Sequence, residues 1–122
     1  MSDARVSLKE MGARFDVTPR TLRYYEYIEL LSPEKEGRTR WYTPREIARL
    51  TLILRGRRFG FSLEEIRQWL QLYEDKGTKA QQDVWIEMAD RQIAALKDQK
   101  EELEQSIRDL QELRDATSGS QN

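Results

Sequence analysis

The spacing of apolar residues divides the chain into four short helices and one long one. Three capping boxes, each a Ser or Thr followed three residues later by Glu, stand at Ser7–Glu10, Thr43–Glu46 and Ser62–Glu65. In such a box the hydroxyl and the carboxylate satisfy the free amides of a first helical turn. Thr18-Pro19 marks a fourth start, because Thr18 suits the N-cap and Pro19 a position that needs no amide donor. These signals predict helices over roughly 7–15, 19–29, 44–57 and 63–74, with a long one over roughly 80–116. Leu8, Met11, Val17, Leu22, Leu30 and Leu31 supply a small core for the first pair. Ile47, Leu50, Leu54, Phe61, Ile66, Trp69 and Leu70 supply one for the second, whose joint carries Gly60 for a positive φ.

Between the two pairs lies Ser32–Thr43, punctuated by Pro33 and Gly37. Thr39–Tyr42 alternates polar and aromatic residues and has β propensity. A small hairpin with its tip near Gly37 is expected, with Trp41 or Tyr42 packed inward and the other, beside Arg38 and Arg40, facing a ligand. Only Asp16-Val17 separates the first two helices, a helix-turn-helix spacing.

The long helix carries a heptad seam at Ile86, Ala89, Ile93, Leu96, Lys100, Leu103, Ile107, Leu110 and Arg114, in alternating steps of three and four. A lone helix cannot bury such a stripe, so a partner helix is required, and Ile at a with Leu at d favours two strands. Lys100 interrupts the seam near its middle, as a residue that fixes register at a cost in stability. The expected organisation is a helix-turn-helix domain with a hairpin wing over 1–75, a dimerisation helix over 76–116 with a hinge at 76–79, and a disordered tail over 117–122.

Composition narrows the chemistry. The 122 residues contain no cysteine and no histidine, which excludes disulfides, a Cys/His zinc site, a thiol nucleophile and imidazole catalysis. There is also no Gly-rich phosphate loop, so an enzyme is not expected, and no cofactor is implied. No apolar run approaches a membrane span and no signal-peptide segment is present, which makes a cytoplasmic protein the default. The net charge of −1 conceals an asymmetry. Residues 1–70 hold 14 Lys and Arg against 10 Asp and Glu, whereas residues 71–122 hold 7 against 12. Seven arginines and one acid, Glu46, fall within 38–58. A basic front and an acidic helical rear fit polyanion binding at one end only. Arginine is the residue preferred for phosphates and base edges.

The second helix concentrates this chemistry. Arg20, Thr21, Arg23 and Tyr24 fan away from Leu22, and guanidinium and hydroxyl groups of this kind bind guanine edges and phosphates. Tyr25 stands between core and phosphate roles.

Four blocks, in matched order and spacing, resemble the MerR family of bacterial transcription regulators. They are Phe15–Glu26, Leu30–Pro33, Arg40–Thr43 and Gly60–Ile66. The resemblance covers about residues 6–116. It implies a mainly α fold, a winged helix-turn-helix followed by a long helix, and a homodimer held by an antiparallel coiled coil. It implies binding to a palindromic promoter in double-stranded DNA, distortion of that DNA, and RNA polymerase as an indirect partner. By position it places Arg20, Thr21, Arg23 and Tyr24 toward the major groove, Arg40 and Tyr42 in a first wing, and Arg55, Arg57 and Arg58 at backbone contacts of a second; Thr18 and Arg38 are counted with them as DNA-binding residues. Ile86, Ala89, Ile93, Leu96, Lys100, Leu103, Ile107 and Leu110 would join the dimer. Metal- and redox-sensing members use cysteines near the end of that helix, which this chain lacks, so metals are not expected as effectors. The 53–63 block looks like that of members controlling branched-chain amino-acid and acyl-CoA catabolism. The effector is unknown; one would bind near Trp69, Tyr73 and Trp85. The alternatives are an excisionase-like architectural DNA-binding protein, against which the four-heptad seam argues, and an interaction coiled coil with a basic head.

Overall fold

The structure, a computed structural model, describes residues 4–75 and 77–120. The expected hinge residue Lys76 and the last two tail residues, Gln121 and Asn122, lie outside them. The elements run β1 (Val6–Ser7), α1 (Leu8–Phe15), α2 (Pro19–Tyr27), β2 (Glu34–Glu36), β3 (Thr39–Tyr42), α3 (Pro44–Phe59), α4 (Leu63–Asp75) and α5 (Lys79–Ser120). The chain divides into two units between Gly77 and Thr78.

In the first unit the helix starts largely follow the local capping chemistry. The Ser7 hydroxyl accepts from the Glu10 amide at 3.2 Å, and the Thr18 hydroxyl from the Thr21 amide at 3.1 Å. Ser62 and Glu65 form the full reciprocal box, at 2.8 and 3.1 Å. The joint between α1 and α2 is made by Asp16 in the left-handed region, with the Val17 amide returning to the Gly12 carbonyl at 3.0 Å. A Cβ on residue 12 would stand 2.9 Å from the Val17 carbonyl, so this turn needs glycine there.

The third expected box does not form. Thr43 makes no side-chain cap, and Glu46, only 2 % exposed, turns instead to the backbone amide of Ser32 at 2.9 Å. A buried carboxylate needs partners, and the loop after α2 supplies one. That loop is held by side chains from α3 and α4. Arg67 donates to the carbonyls of Ile28 and Glu29, and Arg49 Nε to that of Leu30 at 3.0 Å. Helix α2 stops at Tyr27, two residues before the expected end, because Glu29 enters the left-handed region (φ 65°) and the Leu30 amide returns to the Tyr25 carbonyl at 2.8 Å.

The sheet has three strands in the order β1-β3-β2, both pairings antiparallel. The hairpin was expected; β1 was not, because a two-residue strand carries no periodicity. Its pairing of Val6 with Tyr42 and Ser7 with Trp41 decides which aromatic points inward. Tyr42 is wholly buried, as are Val6, Met11, Leu22, Leu30 and Leu31 of the same unit, while Trp41 lies part-exposed 5.1 Å beneath the Arg5 guanidinium.

Helices α3 and α4 close on each other through Gly56, where a Cβ would meet Ile66 Cγ1 at 2.7 Å. Leu50, Ile53, Phe61, Ile66 and Leu70 are buried, whereas Ile47, Leu54 and Trp69 are only partly covered. Gly60 ends α3 with φ 91°.

In the second unit, α5 opens on a capping box where a hinge is expected: Thr78 and Gln81 cap each other at 2.8 and 3.1 Å. The helix continues through Ser120, so 117–120 is helical rather than part of a disordered tail. Among the described residues no helix is long and apolar enough to cross a membrane.

Glu74 gives the first unit an acid-sensitive tie. Burial alone would raise its carboxyl pKa, but Arg49 and Arg45, both bonded to it, outweigh burial and hold it below the ordinary 4.5. A carboxylate with a lowered folded pKa adds stability above its unfolded pKa and loses it as pH falls through the folded one. The melting temperature should therefore drop as pH falls below about 4.5. Glu74→Gln should melt lower than the unaltered chain at neutral pH and converge with it in acid. An undiminished difference at about pH 3, as followed by circular dichroism, would contradict this.

Candidate nucleic-acid interface

Helix α2 presents two faces. Leu22 and Tyr25 are buried; Arg20, Arg23, Tyr24 and Tyr27 are exposed, Tyr27 by 83 %. Positions 20, 23, 24 and 27 repeat every three or four residues and so form one stripe. Two turns of helix span about 10 Å, which matches a major groove about 12 Å wide. Among the described residues the side chains of Arg20 and Arg23 take part in no hydrogen bond or ion pair. Tyr27 was missed by sequence reading, although its position seven residues after Arg20 places it on the stripe. Tyr25, at 7 % exposure, belongs to the core.

The hydroxyls of Thr18 and Thr21 are occupied locally: Thr18 caps the helix, and the two oxygens stand 3.0 Å apart. They fix the helix start rather than reach outward as free groups.

The seven arginines of 38–58 separate into two sets. Arg45 pairs with Glu46 and Glu74, and Arg49 with the same two carboxylates and the Leu30 carbonyl. Arg40 donates from Nε to Glu26 at 2.7 Å. These three serve the fold or the hairpin. Arg38, Arg55, Arg57 and Arg58 are exposed and have no such partner among the described residues. Arg38 stands beside Gly37 (φ 61°) at the hairpin turn. The other three occupy the last turns of α3, where cations also complement the helix dipole. Among the described residues no side-chain hydrogen bond or ion pair joins Arg55, Arg57 or Arg58 to α2 or to the hairpin.

Tyr42 does not belong to an interface. Its exposure is zero, because the period-two alternation of β3 turns it into the core once β1 pairs alongside. Burial pushes its phenol up, helped by the nearby Glu26 charge. A second residue overlooked in the sequence, Arg5, braces the hairpin by bonding Glu34 at 2.9 Å and Glu36 at 3.0 Å from β1's side.

Glu26 is the one acid on α2. Its side chain is 15 % exposed and binds Lys35 Nζ and Arg40 Nε, each at 2.7 Å. Burial alone would raise its pKa; the hydrogen bonds from Lys35 and Arg40 reverse that and hold it low.

On α5, Ile86, Ile93, Leu96, Leu103, Ile107 and Leu110 are 39–67 % exposed, an apolar stripe left open along a single chain. Ala89 is half-covered, and Lys100 reaches Glu104 at 4.0 Å. Among the described residues no group of three or more His, Cys, Asp or Glu is disposed to hold a metal ion.

Two family models match the chain: "MerR HTH family regulatory protein" over residues 6–73 and "MerR, DNA binding" over 47–116. The HTH-type transcriptional regulator HmrR of Rhizobium leguminosarum bv. viciae is 40 % identical over 110 residues, covering 89 % of this chain and 78 % of that protein. ZntR of Escherichia coli (strain K12) is 34 % identical over 113 residues, covering 91 % and 79 %. A MerR-family transcriptional regulator from Bacillus cereus superposes with a TM-score of 0.71 at 28 % identity, over 88 % of this chain and 78 % of that one. Neither HmrR nor ZntR lends support to the likeness with regulators of branched-chain amino-acid and acyl-CoA catabolism. The sequence blocks, the winged helix-turn-helix geometry and the matches over most of the chain agree: this protein belongs to the MerR family of helix-turn-helix transcription regulators.

Proposed function

We propose that the α2 stripe reads base edges in the major groove while Arg38, Arg55, Arg57 and Arg58 hold the phosphate backbone. The observation that carries this reading is the exposed Arg20-Arg23-Tyr24-Tyr27 stripe, standing over a buried Leu22-Tyr25 face. Arginine offers guanine a bidentate donor pair, and tyrosine hydroxyls donate to phosphates. The protein acts as a dimer, with the open seam of α5 covered by the same seam of a second copy running antiparallel. Two α2 helices then enter successive major grooves about one helical turn apart. The bound promoter is distorted into a form that RNA polymerase can use, so that deformability of the DNA contributes to recognition. The protein carries no catalytic role, and its place of action is the cytoplasm. No effector is assigned; the chain offers neither a thiolate nor an imidazole to a metal ion.

Base-reading and backbone-holding arginines should separate in a binding assay. Arg20→Ala or Arg23→Ala should cost roughly 1–3 kcal/mol on the best duplex selected from a random library and relax its base preference. Arg57→Ala should weaken all duplexes alike. Equal loss of preference from both classes would overturn the assignment.

Lys100 tests the seam. A lysine among apolar layers gives up part of its hydration and lowers stability while specifying register. Lys100→Leu should raise the melting temperature and admit higher oligomers in analytical ultracentrifugation. If melting and oligomeric state both stay as they were, Lys100 lies outside the dimer contact.

A further inference from the structure

We infer that Glu26 is a specificity-determining positioning residue that withholds Lys35 and Arg40 from DNA phosphates, trading affinity for any duplex against preference for the operator. The inference rests on the DNA-binding reading above. A carboxylate beside a polyanion is repelled by it, so an acid on a DNA-reading helix weakens binding unless it does something else. Here both of its oxygens are taken, Oε1 by Lys35 Nζ and Oε2 by Arg40 Nε, each at 2.7 Å. Free carboxylates on reading helices accept from cytosine amines; both Glu26 oxygens are already engaged by the two cations of the hairpin.

The hairpin explains why a carboxylate is needed. Lys35 and Arg40 are directly opposed in the β2–β3 register. Like charges facing each other across a strand pair repel. The Glu26 carboxylate stands against both cations, cancels that repulsion and ties the hairpin to the C-terminal half of α2. Arg38, two residues from Arg40, has no such partner among the described residues and stays available to phosphate. The hairpin thus carries one free cation and two that are held, and the held pair sets where the free one lies relative to α2.

The test compares salt dependence of binding on two probes: a random-sequence duplex of about 30 base pairs and the best duplex selected from a random library. Circular dichroism checks that each variant is folded. E26Q should bind the random duplex more tightly. Its log-affinity against log-salt slope should steepen by roughly 0.9 for each released cation that reaches a phosphate. The ratio of selected to random affinity should fall roughly threefold or more. Adding Arg40→Gln to E26Q should return the slope toward the starting value. A second arm leaves α2 untouched: K35Q should keep the slope of the unaltered protein, whereas R38Q should make it shallower. If E26Q binds both duplexes less well with an unchanged slope, or if K35Q and R38Q behave alike, Glu26 is only a strut and the inference is overturned. An unaltered protein that binds neither duplex overturns the DNA reading itself, a result distinct from an unchanged slope.

Discussion

Helix α2 can present a constant face to DNA only if its far end is held, and three side chains from α3 and α4 hold it. The chain leaving α2 makes a left-handed turn at Glu29, an unfavourable conformation for a residue with a Cβ. Carbonyls of Ile28, Glu29 and Leu30 then point away from any helical partner. Arg67 and Arg49 satisfy them, and Glu46 takes the Ser32 amide. The cations sit at the negative end of the α2 dipole, where they stabilise it. Removing any one partner leaves a backbone group unpaired, at about 1–3 kcal/mol if buried. The second helical pair is therefore the mount on which the first is carried, as well as a source of exposed arginines.

This division of labour explains why arginine count is a poor guide to the interface. Arg40, Arg45 and Arg49 each face a carboxylate 1 to 29 residues away in sequence, while Arg38, Arg55, Arg57 and Arg58 face solvent. The carboxylates that decide the matter, Glu26, Glu46 and Glu74, are unremarkable in the sequence. Charge is legible there; the partner of each charge is set by packing.

Elements governed by local chemistry were legible. The N-caps Ser7, Thr18 and Ser62, the Gly37 turn and the Gly60 helix stop act over four residues or fewer, and each stands where its spacing predicts. What escaped was tertiary. Glu46 has capping-box spacing, but a buried site offered it the Ser32 amide instead. Alternation in β3 says that Trp41 and Tyr42 face opposite ways, yet only the pairing with Val6 says which is inside. Strand β1, two residues long, has no period to detect. For α2, spacing places Arg20, Arg23 and Tyr24 on the surface, whereas Tyr27, an uncharged aromatic at the helix end, carries no local signal that separates it from a core residue.

The central claim is that the α2 stripe meets base edges rather than phosphates alone. Methylation interference at guanine N7, which lies in the major groove, tests it most directly. The account predicts two clusters of interfering guanines in a selected duplex, about one helical turn or a multiple of it apart, with the interference abolished in Arg20→Ala or Arg23→Ala. Tight binding that ignores guanine methylation everywhere in the duplex would contradict it.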